Sequence, residues 1–245
     1  MSASPDKHAE NKLVVFSIGG KGGSGKSWVM GLLLDWYQAQ GIRPQMFELD
    51  NETSTTTRFH GEAEFIDVSR KEKLDGMLEK IVRSSLSLVD MRAGSTDRIE
   101  PWWKGVDTVK LSREYGLRWT AIGVVDSSVD SFANIGNWAR EVLKGDKAIG
   151  YVIAINEGRG GGAIYRKSPE REEYRKTLKP SEIEIPKLED WVRDELENAS
   201  LRVGTAIAYT DPENPLTTFL NRTRLKRYQR AVFAQFDQIK EQLLP

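Results

Sequence analysis

A chain of 245 residues, 39% of them apolar and 29% charged, has the length and composition of one globular α/β domain with a sizeable core. Its 36 Lys and Arg balance 36 Asp and Glu, which excludes a global field towards nucleic acid or acidic lipid and leaves only local patches for such contacts. The absence of cysteine excludes disulfides and thiolate metal sites and fits a reducing cytoplasm, and two histidines, His8 and His60, are too few for a histidine-rich metal centre.

No apolar run reaches transmembrane length, and the polar start of the chain lacks a signal-peptide core. Residues 1–11 are expected to be a disordered lead, with a single domain over 12–245. Leu13-Val14-Val15-Phe16-Ser17-Ile18 predicts a strand, followed at once by Gly20-Lys21-Gly22-Gly23-Ser24-Gly25-Lys26-Ser27 and then by the apolar Trp28-Val29-Met30-Gly31-Leu32-Leu33-Leu34. Strand, glycine-rich turn and helix in that order fit G-x-x-x-x-G-K-[ST]. Glycines let backbone N–H groups curl around phosphates, and the helix beginning near Gly25 turns its positive end to the same charge. Lys26 is placed to reach the β- and γ-phosphates and Ser27 to ligate Mg²⁺. Gly20 to Trp28 is therefore the candidate nucleotide-binding stretch.

The helix runs to Gln40, with Leu32, Leu33 and Trp36 inward and Gly41 as its stop. Pro44–Leu49 predicts a strand ending at Asp50, and the hydroxyl-rich 52–57 a loop. Phe65–Val68 reads as a minor edge strand and Glu72–Arg83 as a helix with Leu74, Met77, Leu78 and Ile81 on one face. Ser87–Asp90 is a strand ending on a carboxylate. Leu117–Asp126 is the most apolar later run and predicts a central parallel strand. Ser131–Lys144 reads as an amphipathic helix ended by Gly145, and Gly150–Ile155 as a strand ending on Asn156. Gly158–Gly162 reads as a flexible loop, Arg166–Lys179 as a solvated helix or insert, and Glu182–Pro186 as the last short strand. Leu188–Glu197 is expected to be helical with Trp191 and Leu196 packing. From Pro215 to Leu244 one long helix is predicted, with Leu220, Leu225, Tyr228, Val232, Phe236, Ile239 and Leu243 as its apolar stripe. Strands ending in Asp50, Asp90, Asp126 and Asn156 predict a doubly wound, mostly parallel sheet flanked by helices, with its ligand at the carboxyl ends.

Lys21, a second lysine inside the loop, gives Lys-Gly-Gly-Ser-Gly-Lys-Ser, which resembles the deviant Walker A loop of the MinD/ParA family of P-loop ATPases. The resemblance implies ATP and Mg²⁺, a homodimer formed on ATP binding, slow hydrolysis, and a Lys21 that reaches the partner subunit's nucleotide. Where the family reads Asp-x-Asp at the end of the second strand, this chain has Glu48 and Asp50. Asp50 is thus the candidate for orienting the attacking water and assisting Mg²⁺, with an Asx turn as the alternative. Asp90 matches the strand-end position close to the Mg²⁺ shell, with Gly94 four residues on, although Met91-Arg92-Ala93 stand where the family carries prolines. Capping is the alternative for Asp90. Asn156 matches the base-contacting strand-end Asn, or is a turn residue, and the lack of Asn-Lys-x-Asp after it favours ATP over GTP. Pro186 and Lys187 are base-pocket candidates by the same likeness.

The last helix carries Arg222, Arg224, Lys226, Arg227 and Arg230 opposite its stripe, a set that offers non-specific DNA contact, whereas core packing is favoured over a membrane anchor. Arg222–Phe233 is similar to the ending of TraL-type and StbB-like ATPases of conjugative plasmids. That similarity implies plasmid conjugation, partition or positioning in the bacterial cytoplasm, with a plasmid-encoded or DNA-binding protein as partner. Two other readings are open. One is a small-molecule ATP-dependent enzyme, such as a dethiobiotin-synthetase-like ligase or a kinase, which would need acid–base groups of its own. The other is an ATP-gated adaptor without meaningful turnover.

Overall fold

A computed structural model describes residues 12–50, 63–91, 96–144 and 147–245. Its strands are β1 (Lys12–Ile18), β2 (Gln45–Asp50), β3 (Glu64–Asp67), β4 (Leu86–Met91), β5 (Leu117–Val125), β6 (Ile149–Asn156) and β7 (Ser181–Ile185). They form one sheet in the order β3-β2-β4-β1-β5-β6-β7, and every neighbouring pair is parallel. The helices are α1 (Lys26–Ala39), α2 (Lys71–Ile81), α3 (Thr96–Trp103), α4 (Thr108–Tyr115), α5 (Val129–Asn137), α6 (Gly161–Tyr165), α7 (Pro169–Thr177), α8 (Asp190–Asn198), α9 (Val203–Ala208), α10 (Phe219–Gln238) and α11 (Lys240–Leu243).

A parallel sheet needs both faces covered, and β1 shows how the sequence meets that need. Val14, Phe16 and Ile18 point into one core with side chains of α2, α3, α5 and α7, while Leu13 and Val15 point into the other with α1, α8, α9 and α10. The strand is thus a continuous apolar run from Leu13 to Phe16 rather than an alternating one. Its central place, between β4 and β5, brings the turn after Ile18 to the middle of the sheet's carboxyl edge.

Several expectations are corrected. Gly158–Gly162 is not a loose loop: Glu157–Arg159 forms a 3-10 turn, Gly160 has φ +70°, and α6 follows with Gly161 and Gly162 buried. A Cβ at Gly161 would stand 2.4 Å from the carbonyl oxygen of Val125, so this glycine serves close approach to β5 and not mobility. The charged stretch after it folds as α7, with Tyr174 buried and donating to the Phe132 carbonyl, and with Arg171 paired to Glu182 at 2.6 Å. Leu196 packs as expected, but Trp191 is half exposed and Val192 fills the core position in its stead. The single long helix is three pieces: a 3-10 turn at Pro215–Thr217, then α10, then α11 beyond Ile239. Leu220 leaves the expected stripe and is exposed, whereas Leu225, Tyr228, Val232, Phe236 and Leu243 are buried.

Those residues make α10 a core helix seated on α1. Trp36 Nε1 donates to Asp237 at 3.0 Å, the Trp36 and Phe236 rings lie 5.9 Å apart, and the Tyr37 hydroxyl donates to the Leu243 carbonyl. Among the described residues, no helix is long and apolar enough to cross a membrane.

Candidate nucleotide site

The turn between β1 and α1 is shaped by three glycines in left-handed backbone: Gly19 at φ +102°, Gly23 at +79° and Gly25 at +101°. Residues with a Cβ enter this region only at a cost of about 1–2 kcal/mol each, so the curl of the loop is written in its glycines. Gly25 caps α1, and its carbonyl accepts the first helical bond from the Val29 N–H at 2.9 Å. Gly20 is half buried and Gly22 exposed, while Ser24 is buried.

Lys26 is only 6% exposed, and its ammonium donates to the Lys21 carbonyl at 2.7 Å, closing the loop on itself. Burial pushes the amine below the ordinary lysine value, and the nearby Asp90 and Asp126 carboxylates pull it partly back up. A buried cation in the field of two carboxylates is open to an arriving anion of higher charge. The Lys21 side chain itself is half exposed and has no partner among the described residues.

Asp90, the last residue but one of β4, is fully buried. Its Oδ1 accepts from Ser17 Oγ at 3.0 Å, and Ser17 in turn accepts from the Met91 N–H at 2.8 Å, so a β1 hydroxyl fixes the carboxylate. Its Oδ2 is buried with no hydrogen-bond partner among the described residues. An orphaned buried carboxylate oxygen calls for a missing donor or cation. Together with the half-buried Ser27 hydroxyl, it supplies the oxygen donors Mg²⁺ takes, and no group of three or more His, Cys, Asp or Glu among the described residues makes a dedicated metal cage. Such a set suits an Mg²⁺ that arrives with phosphate oxygens and water. Asp50 ends β2 opposite Asp67 of β3, but its side chain lies outside the described residues. Glu48 is buried and stands opposite Asp90 in the β2–β4 register.

On the β6 side of the loop a cleft opens, with Gly25, Trp28, Asn156, Gly158, Pro186 and Tyr228 in its walls. Asn156 is buried there, its Nδ2 donating to the Ser24 carbonyl at 2.9 Å. Because that carbonyl only accepts, the amide orientation is fixed and Oδ1 is turned towards Gly158. Pro186 lines the cleft. Lys187 does not; its ammonium pairs with Asp190 at 3.0 Å. Trp28 lines it too, and its Nε1 donates to the Tyr228 hydroxyl at 3.0 Å.

Sequence reasoning assigned no role to Asp126 or Tyr228. Asp126 was visible as a polar strand end, whereas nothing but helical periodicity pointed to Tyr228. The basic face of α10 is smaller than expected. Arg222 donates to the Tyr209 carbonyl at 2.5 Å, and Arg224 donates to Asn221 at 2.9 Å while lying 5.4 Å from the Trp191 ring centroid. Both are tied into the fold, which leaves Lys226, Arg227 and Arg230 exposed.

No protein-family model matches the chain, and no curated protein matches it. Among solved structures, the chain is similar to a ParA family ATPase from Chlorobium tepidum TLS at 11% identity, covering 89% of this chain and 98% of that one with a TM-score of 0.47. It is similar to a MinC:MinD cell division protein complex from Aquifex aeolicus at 14% identity, covering 91% and 96%, TM-score 0.48. A third is the septum site-determining protein MinD with Mg-ADP from Pyrococcus horikoshii OT3, at 15% identity, covering 94% and 98%, TM-score 0.44. These are likenesses of chain course. On its own strand order, parallel pairing and glycine turn between β1 and α1, the fold is a doubly wound sheet of the P-loop class.

Proposed function

We propose that this chain binds ATP with Mg²⁺ at the β1–α1 loop, pairs with a second copy when it does so, and hydrolyses ATP slowly to ADP and phosphate as a molecular switch of MinD/ParA type. The observation that carries the proposal is the cup itself. Three left-handed glycines curl the backbone ahead of α1, and a buried Lys26 ammonium donates to the Lys21 carbonyl within the electrostatic reach of Asp90 and Asp126. Backbone N–H groups and the helix end hold phosphate oxygens, and the Lys26 ammonium stabilises the charge on the phosphoryl group that is transferred. Ser27 and Asp90 are the residues that would hold Mg²⁺, which when bound neutralises charge on the phosphates. Asp50 orients the attacking water. Lys21, whose side chain has no partner among the described residues, acts on the partner subunit's nucleotide.

On our reading this switch acts in plasmid conjugation, partition or positioning in bacterial cytoplasm, with a plasmid-encoded or DNA-binding protein as partner; the likeness of Arg222–Phe233 to the ending of TraL-type and StbB-like ATPases supports it. Lys226, Arg227 and Arg230 remain as its own DNA contact. The test is sedimentation velocity with and without ATP and Mg²⁺. Wild type should move from monomer to dimer on adding ATP, and Lys21→Ala should bind ATP yet stay monomeric. Equal pairing by the two proteins would remove the in-trans role, and pairing by neither in saturating ATP would remove the switch.

A further inference from the structure

We infer that Tyr228 is a ligand-contacting residue of this site, its hydroxyl giving its proton to an acceptor on the nucleoside part of the bound nucleotide, with Trp28 fixing its direction. The inference rests on the nucleotide reading above and adds to it a contact from α10, an element far along the chain from the loop.

An indole N–H only donates, so the bond from Trp28 Nε1 to the Tyr228 oxygen, 3.0 Å long, uses the phenol as an acceptor. The phenol's own O–H then has no acceptor among the described residues. Tyr228 is 6% exposed, and the surface it keeps is in the cleft wall beside Gly25, Trp28 and Asn156. Burial pushes the phenol up to about 12, so at neutral pH it carries its proton and is a donor. A donor left unpaired in so buried a place is costly, and Tyr228 is one of the residues that line the cleft. Packing alone does not require it, since the Trp28 and Tyr228 rings, 6.3 Å apart and tilted by 53°, would meet equally well with Phe at 228.

The chemistry of the fitting group follows. The loop takes the phosphates, and the cleft next to it takes what is attached to them. Ribose oxygens and ring nitrogens of a base are acceptors without competing charge, and either completes the phenol's bond.

Tyr228→Phe removes one oxygen and keeps the ring. Titrations with ATP and with inorganic tripolyphosphate, each with Mg²⁺, separate the nucleoside contact from the phosphate cup. We expect Tyr228→Phe to bind ATP about three- to tenfold more weakly and tripolyphosphate as wild type does. Trp28→Phe, which frees the phenol to turn, should lose about two- to threefold for ATP only. Unchanged ATP affinity in Tyr228→Phe would overturn the inference. So would an equal loss for both ligands, which marks a packing effect passed to the loop. If wild type binds tripolyphosphate and ATP equally well, the cup stands and the nucleoside contact falls. If it binds neither, the nucleotide reading falls and takes this inference with it.

Discussion

The phosphate loop and the cleft beside it are built by opposite means. The loop is one contiguous stretch that holds its own shape through left-handed glycines, the bond from Lys26 to the Lys21 carbonyl, and the bond from Val29 to Gly25. The cleft takes its walls from four distant parts of the chain: α1 at Trp28, the end of β6 at Asn156, the turn after β7 at Pro186, and α10 at Tyr228. One hydrogen bond, from Asn156 to the Ser24 carbonyl, joins the two. The difference teaches that, on the proposed reading, holding phosphate would be a local property of eight residues, whereas holding the attached nucleoside would depend on how α10 and β6 pack around them. Changes in the loop should remove binding, and changes in the cleft should grade it.

The largest expected effect is therefore in the loop. Lys26→Ala leaves the phosphates without their buried cation, and ATP affinity measured by calorimetry should fall on the order of a hundredfold or more. A loss under threefold would mean that the loop does not hold phosphate through this amine. Next comes the joint between the two regions. Gly25→Ala places a Cβ 2.4 Å from Asn156 Nδ2 at a φ of +101°, and denaturant unfolding should show a loss of about 1–3 kcal/mol. Retained stability would show that the loop can relax without its glycine.

Asp90→Asn keeps an acceptor for Ser17 but removes the charge next to the cup. The Mg²⁺ concentration for half-maximal ATP binding should rise about tenfold, with metal-free ATP binding unaltered. An unchanged Mg²⁺ requirement would exclude Asp90 from the metal's surroundings. The smallest effect is on stability alone. With its folded-state value lowered from the ordinary 10.5, Lys26 binds its proton less readily in the folded protein than in the unfolded chain. The cost is therefore greatest below the lowered value and is relieved as pH rises from there towards about 10.5, where the unfolded chain holds more protons and stability increases with pH. Lys26→Met should stabilise the nucleotide-free protein at pH 7 by about 1 kcal/mol and flatten that slope. A variant less stable than wild type at pH 7 would contradict it.

The same contrast explains what could be read from the chain alone. The loop was legible because its chemistry is contiguous, and all seven strands were legible because apolar runs bounded by turns or carboxylates are local signals. The short helices α3, α4 and α9 escaped because so few turns give too little periodicity, and α4 even exposes Val109. Gly158–Gly162 misled because glycine was read as freedom, when at Gly161 it permits contact with the Val125 carbonyl. At Trp191 the helix was one residue out of phase, and Val192 is the buried neighbour. Periodicity marked Tyr228 as inward, but no sequence spacing says that it meets Trp28, 200 residues earlier. Asp126 at Lys26 follows from the β1–β5 pairing, again a fact of tertiary order.

The central claim is that the loop between β1 and α1 binds a nucleoside triphosphate. Calorimetric titration of the folded protein with ATP in the presence of Mg²⁺ tests it most directly. Saturable binding of one ATP per chain, accompanied by a change in intrinsic tryptophan fluorescence that Trp28→Phe diminishes, is the predicted result. No heat and no fluorescence change from protein shown to be folded would contradict it.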